Sequence, residues 1–254
     1  MAMTLQNRIV VVTGAGRGLG RAFAEACAAA GAATVVVADI NADWGTEAVA
    51  ALKKSGTDAV FLPVDLGDPA SVEAFGAEVG RRFGHIDGLV NNAAIATGIG
   101  GKTFEEIDIP TWDRVMTVNV RGTWLVVKAL APLLRKSAVG GRIVNLASDT
   151  ALWGAPRLLH YVSSKGAIIS MTRSLARELG PDRIAVNAVA PGLVLVEATE
   201  YVPEERKRLY VEGRAMSRPQ MPEDVVGAVV YLLSDGAGFV TGQLLPVNGG
   251  FVFN

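Results

Sequence analysis

Half of the 254 residues are hydrophobic and only 19% are charged, so the chain has the apolar material for one large buried core. A formal net charge of -1 with no basic block argues against nucleic acid and acidic membrane surfaces as partners. The lone cysteine, Cys27, rules out an internal disulfide. No charged-then-apolar leader opens the chain and no apolar run reaches the ~18 residues of a membrane span, so the expectation is a soluble protein of a reducing cytoplasm.

The first predicted element is a strand at 8–13 (R-I-V-V-V-T), β-branched as suits a strand buried on both faces. A glycine turn follows at once, with Gly14, Gly16, Gly18 and Gly20 spaced T-G-x-x-x-G-x-G, and an Ala-rich helix is predicted over 19–30 with Cys27 as a buried thiol inside it. Strand, glycine turn and helix N-terminus together make a phosphate cradle: the glycines let the backbone approach a pyrophosphate, and the helix end supplies free N–H groups and a favourable dipole. A second strand at 34–38 ends at Asp39, 19 residues beyond Gly20, where an acidic side chain meets the adenosine ribose in a dinucleotide fold. Asp39 reads equally as an N-cap for the helix starting near Asn41, and the two roles are compatible. A carboxylate there repels a 2′-phosphate and favours NAD over NADP; Arg17 in the glycine turn argues weakly the other way.

A third strand at 60–64 is closed by Asp65 and Leu66, and Asp68-Pro69 opens an amphipathic helix that runs to about Phe83. Residues 88–90 form a fourth strand leading into Asn91-Asn92-Ala93-Ala94. This β-α alternation predicts an α/β, Rossmann-like, doubly wound parallel sheet with helices on both faces, as a single domain over 1–254. Ligands of such sheets bind beyond the carboxyl ends of the strands, where the glycine turn, Asp39, Asp65 and Asn92 all fall. A long helix over 111–135 carries Asn119, which by itself reads as a kink or a polar residue within the helix.

The strand-like run 142–147 ends at Ser148, and the segment after it carries Tyr161 and Lys165 four residues apart on a predicted helix. Residues i and i+4 share a helix face, so phenol and ammonium can address one reacting atom. A free phenol titrates near 10, too high for proton transfer at neutral pH, and a nearby ammonium favours the phenolate. Ser148 is placed to donate a hydrogen bond to the same oxygen. A Tyr-x-x-x-Lys pair alone is more often a solvated helix face, and the glycine cradle is what raises it to a catalytic candidate.

These motifs together resemble the short-chain dehydrogenase/reductase family over nearly the whole chain. T-G-A-G-R-G-L-G at 13–20 matches the family's glycine motif. N-N-A-A at 91–94 matches its N-N-A-G, with Ala94 for the usual glycine. Asn119, Ser148, Tyr161 with Lys165, and Pro191-Gly192 match its remaining landmarks. The resemblance implies Tyr161 as acid/base, Lys165 as its pKa-lowering partner and holder of the nicotinamide ribose, Ser148 as the group that orients the substrate oxygen, and Asn119 as holder of a water that links Lys165 to solvent. It also implies that Gly14, Arg17, Gly18, Leu19, Gly20, Asp39 and Ile40 bind the cofactor, that Asp65 and Leu66 meet the adenine, that Asn92 lies beside the adenine ribose and that backbone at Val194 meets the carboxamide. The family often has threonine where this chain has Val196, which leaves Thr199 as a substitute contact.

Beyond the fourth strand, the glycine-rich loop 99–102 borders the expected pocket, and Trp153, Leu158, Leu159 and His160 line or flank it. His160 is more readily a packing residue than a substrate contact, and His85 a solvated turn residue. Residues 193–221, rich in Glu and Arg with a short charged helix over 203–214, interrupt the strand-helix rhythm and are expected to form a lid. A helix over 223–233, a strand over 243–247 and an apolar tail at 251–253 complete the chain, and the tail is expected to pack in a subunit interface of a homotetramer, the family's usual assembly. No cluster of His, Cys and carboxylates has metal-ligand spacing. The expected activity is interconversion of a secondary alcohol with a ketone or aldehyde through NAD, on a small substrate that is cyclic or aromatic, or else polar and recognised by Asp149 and the lid. The alternatives are an NADP-dependent 3-oxoacyl carrier reductase, a non-catalytic nucleotide-sensing module, and an isomerase or dehydratase on the same fold.

Overall fold

The computed structural model describes residues 3–253. Seven strands form one parallel sheet in the order β3-β2-β1-β4-β5-β6-β7: β1 Ile9–Thr13, β2 Thr34–Asp39, β3 Asp58–Pro63, β4 Gly88–Asn91, β5 Arg142–Leu146, β6 Ala185–Pro191 and β7 Leu244–Val247. The order reverses between β1 and β4, which leaves a crevice at their carboxyl ends. β3 begins two residues before its predicted start. Its register with β2 explains this: Asp58 pairs with Thr34, and the Thr34 hydroxyl donates to the Asp58 carboxylate at 3.1 Å.

The continuous apolar runs are explained by helices on both faces. Alternate residues of one strand serve different cores: Val10 and Val12 pack with Phe23 of α1 (Gly18–Ala29), Leu52 of α2 (Ala42–Lys54) and Val229 of α9 (Glu223–Leu233). Val11 packs with Phe75 of α3 (Pro69–Phe83), Leu130 of α5 (Thr123–Leu134) and Leu179 of α7 (Leu159–Leu179). Burial of such side chains contributes roughly 1.5–3 kcal/mol each before chain entropy is counted. Cys27 is fully buried among them, and burial pushes its thiol up to about 12. Asn41 and Asp68 cap α2 and α3 with their side chains, accepting from Trp44 N and Ala70 N.

The single helix predicted over 111–135 is three pieces. α4 (Ile109–Met116) is followed by a π-helical stretch, Thr117–Gly122, before α5 begins. The inserted residue re-aims the ladder at Asn119, and Gly122 closes against Leu66, where a Cβ would lie 2.7 Å from the Leu66 Cβ and carbonyl oxygen. The remaining elements, α6 (Thr150–Trp153) and α8 (Glu204–Gly213), stand at the carboxyl ends of β5 and β6 and shape the crevice.

Candidate active site

The crevice is one cleft of about 1720 Å³, and it collects nearly every residue singled out from the sequence. Gly14, Arg17, Gly18, Leu19, Gly20, Asp39, Ile40, Asp65, Leu66, Asn92, Ser148, Tyr161, Lys165 and Val194 all line it; Asn119 lies behind the wall. The glycine turn is a cradle that no other residue fills. Gly14 has φ +63°, and a Cβ on Gly20 would lie 2.0 Å from the Gly14 carbonyl oxygen and 2.4 Å from the Asn92 amide. The N-terminus of α1 has no side-chain cap and no acid in its first turn, so its free N–H groups face the cleft.

Asp39 holds the far side of the turn. Its Oδ2 accepts from Gly16 N at 2.9 Å and its Oδ1 from Asn41 N at 3.0 Å, so the carboxylate is fixed by backbone on both oxygens. It is therefore no side-chain cap of α2, a role taken by Asn41. The Arg17 guanidinium stacks 3.9 Å above the Trp44 ring at the edge of the same site. Asn92 is more structural than expected. Its amide donates to Thr13 O and Gly14 O at 3.0 and 3.1 Å, stitching the end of β4 to the cradle. Thr13, not singled out from the sequence, completes the stitch by accepting from the backbone N–H of Asn92 and Ala93.

At the other end of the cleft, Tyr161 and Lys165 share one face of α7, with the Lys165 Nζ 5.6 Å from the Tyr161 ring centroid. The Nζ donates to Leu146 O at 2.7 Å, the carboxyl end of β5. Burial lowers this ammonium to about 8. Burial also pushes the Tyr161 hydroxyl up to about 12, against the pull of neighbouring Ser148. The expectation that Lys165 brings the phenol down is thus not met in the protein alone, because the dry pocket disfavours both charges and the ammonium is spent on a carbonyl. Ser148 accepts from the Thr150 hydroxyl at 2.9 Å, which leaves its own proton to be shared with the neighbouring Tyr161 oxygen.

Asn119 is engaged on every amide group: Oδ1 accepts from Ile95 N at 2.7 Å, and Nδ2 donates to Ile95 O and to Ser164 Oγ, both at 3.1 Å. Ser164 in turn donates to Tyr161 O at 2.7 Å, so the π-helical stretch braces the tyrosine's own backbone. A second buried chain, Asn91 to Asn145 to Thr172, ties β4, β5 and α7 beneath the site. Sequence reasoning passed over Ser164 and Thr172. Their only signal is polarity on the buried face of a helix.

The substrate end departs most from expectation. Trp153 and Leu158 line the cleft, but Leu159 is exposed, and His160 is wholly buried with neither ring nitrogen bonded. Of the loop 99–102, Gly100 and Gly101 reach the cleft. Asp149 does not face it: the carboxyl is fully buried and accepts from the Tyr210 hydroxyl at 3.1 Å. The tail is covered only in part by its own subunit. Phe251 stacks on Tyr210 (centroids 4.6 Å) and meets Trp153 edge-on (5.5 Å) within the same subunit, while Phe253 is 78% exposed. Residues 193–202 bridge the cleft, with the Tyr201 hydroxyl donating to Ala96 O at 2.6 Å and Thr97 to Ala198 O at 3.3 Å. Thr199 is folded back on backbone, accepting from Val196 N and donating to Val194 O at 2.8 Å.

A glycine turn at a helix N-terminus, a carboxylate at the end of the second strand and a Ser-Tyr-Lys set lie together at one switch point, as in a dinucleotide-dependent oxidoreductase fold. A family model described as Enoyl-(Acyl carrier protein) reductase matches residues 14–252. The chain is 36% identical to meso-2,3-butanediol dehydrogenase of Serratia marcescens over 98% of this chain and 96% of that one. It is 34% identical to the 3-oxoacyl-[acyl-carrier-protein] reductase of Aquifex aeolicus, covering 98% and 99%. Among solved structures, a protein of Sinorhizobium meliloti described as a short-chain alcohol dehydrogenase superposes with a TM-score of 0.90 at 33% identity, over 98% of both chains. The chain belongs to the short-chain dehydrogenase/reductase family, whose members use an NAD(P) cofactor to act on CH–OH donors or the matching carbonyls. Among the described residues, no helix is long and apolar enough to cross a membrane.

Proposed function

We propose that this protein is an NAD-dependent oxidoreductase that interconverts a secondary alcohol and a ketone or aldehyde. The observation that carries the reading is the shared cleft: the glycine cradle and Asp39 at one end, Ser148, Tyr161 and Lys165 at the other. Gly14, Arg17, Gly18, Leu19 and Gly20 would hold the pyrophosphate. Asp39 would take the adenosine ribose hydroxyls, Ile40, Asp65 and Leu66 would enclose the adenine, and backbone at Val194 would meet the carboxamide. When bound, the nicotinamide supplies a hydride acceptor or donor. Tyr161 removes or returns the hydroxyl proton, Ser148 donates to the substrate oxygen, and Lys165 holds the neighbouring ribose. Asn119 would hold a water that links Lys165 to solvent, although its amide is committed and its backbone carbonyl accepts from the Thr123 hydroxyl at 2.8 Å.

The preference for NAD rests on Asp39. Held on both oxygens, it cannot turn away from a 2′-phosphate and repels it. NADP remains the second reading because Arg17 lines the same end of the cleft with no carboxylate partner among the described residues. The aromatic wall of Trp153 and Tyr210 suits a cyclic or aromatic alcohol. Residues 193–221 serve as the lid. A homotetramer is the proposed assembly, supported by apolar side chains left on the surface such as Ile109, Trp124 and Phe253. Initial rates on a panel of cyclic, aromatic and sugar alcohols, with each cofactor, test the reading. A lower KM for NAD than for NADP is expected; the reverse order, or tight NAD binding with no turnover on any alcohol, contradicts it.

A further inference from the structure

The cluster behind the aromatic wall is not used by the reaction as described, and it joins four segments far apart in the chain. Asp149 follows Ser148 directly. Its backbone N–H donates to Pro191 O at 3.0 Å, and its carboxyl is enclosed on all sides. A Cβ on Gly192 would lie 3.0 Å from Asp149 Oδ2, 2.9 Å from the Gln220 amide oxygen and 3.0 Å from the Arg214 guanidinium. Only a glycine after Pro191 leaves room for the carboxyl. Across from it, Tyr210 in the last turn of α8 is 2% exposed and donates its hydroxyl to Oδ1. Its ring is held by Phe251 on one side and Trp153 on another, with the Arg214 guanidinium carbon 5.4 Å from the ring centroid.

Arg214 does not neutralise Asp149 by pairing. Its guanidinium is spent on Asn248 O, Arg218 O, Leu193 O and the Gln220 side chain. Asp149 Oδ2 and Trp153 Nε1 are both buried and make no well-formed hydrogen bond, although the indole N–H lies close enough to the carboxyl to favour its charged form. A carboxyl left half-satisfied in a dry wall costs stability, so one tyrosine bond to the lid is an odd use of it unless that bond matters.

We propose that Asp149 is a positioning residue that, through Tyr210, latches lid helix α8 to the turn carrying Ser148. The inference rests on the reading of Ser148 and Tyr161 as the reacting groups and of 193–221 as a lid. Asp149 and Ser148 are adjacent, so a lid that lifts at Tyr210 releases the turn that aims the Ser148 hydroxyl. The front edge of the lid is held separately and at the surface, by Tyr201 on Ala96 and by Thr97 on Ala198. The lid therefore has a buried peg at the substrate end and a solvent-exposed one over the rest of the cleft. Opening at the surface peg alone admits ligand without disturbing Ser148.

Hydrogen exchange of the α8 amides tests the latch without any known substrate, which keeps it separate from the proposed reaction. Tyr210→Phe keeps the ring stack and loses only the hydroxyl; Asp149→Ala removes the acceptor; Asp149→Asn keeps it. The latch predicts α8 exchange at least about tenfold faster in the first two variants and near wild type in the third, with the amides of α7 unchanged. With a working alcohol, the first two variants raise its KM severalfold and lower kcat, leave NAD affinity unchanged, and are no worse when combined than the worse one alone. If Asp149→Ala does not fold, Tyr210→Phe decides. Unchanged α8 exchange in Tyr210→Phe, or faster exchange in Asp149→Asn to the level of Tyr210→Phe, overturns the proposal.

Discussion

The two ends of the cleft are built in different ways. The cofactor end is mostly backbone: a glycine turn, an uncapped helix N-terminus, and one carboxylate fixed by two N–H groups. The substrate end is mostly side chain, with Trp153, Tyr210 and Phe251 packed around a buried acid. A backbone cradle tolerates almost no change because the chain itself occupies the space. A side-chain wall can be rebuilt residue by residue, which is how one fold serves many alcohols.

The sharpest way to break the contrast is to add one methyl group to the cradle. Gly20→Ala puts a Cβ 2.0 Å from a carbonyl oxygen in a segment that cannot move aside. Thermal or urea denaturation is expected to show a loss of about 1–3 kcal/mol, together with a large rise in the KM for cofactor. A variant that folds and binds cofactor as wild type does would mean the turn is softer than described. Next in size is Asp39, the acid proposed to select the cofactor. Asp39→Ser is expected to raise the KM for NAD about tenfold and to lower that for NADP, since one unit of charge opposite a phosphate is worth on the order of 1 kcal/mol or more at this depth. Competitive titration of the two cofactors reads this out.

The third effect is at the substrate end and shows in the pH dependence of stability rather than in cofactor binding. Burial holds the Asp149 carboxyl up at about 7, with the Tyr210 hydrogen bond and the Arg214 charge pulling it down. The folded protein therefore keeps a proton that the unfolded chain releases above about pH 4. This group is least costly below that value, and stability falls as pH rises toward about 7, by at most about 1.4 kcal/mol per unit. Asp149→Asn should flatten that slope in urea midpoints taken at about pH 5 and about pH 7; an unchanged slope would place the charge elsewhere. Lys165 acts in a separate window with the opposite sign. Its ammonium is lowered from 10.5 to about 8, so the unfolded chain holds more protons between those values and stability there rises with pH.

The same contrast explains what the sequence revealed. The cradle is legible because its parts are contiguous: strand, glycines and helix fall within 8–30, and each glycine answers a backbone demand. Tyr161 and Lys165 are legible because helical spacing alone puts them on one face. The latch is not, because Asp149 and Tyr210 are 61 residues apart and nothing local marks either as a partner. Asn119 is intermediate: its polarity inside a helix was visible, but the π-helical stretch that turns it toward Ile95 and Ser164 depends on the packing of Gly122 against Leu66. The tail is legible only in part: Phe251 finds cover on Tyr210 and Trp153 of its own subunit, far from it in sequence, while Phe253 stays exposed.

The central claim is that Tyr161 moves the proton while a hydride passes between substrate and nicotinamide. NADH absorbance during oxidation of the best alcohol, for wild type and Tyr161→Phe with bound NAD verified in both, tests it most directly. The expected result is an intact fold, unchanged NAD affinity and a kcat lower by about a hundredfold to ten-thousandfold. Turnover by Tyr161→Phe at the wild-type rate would contradict the account and shift the proton transfer to another group in the cleft.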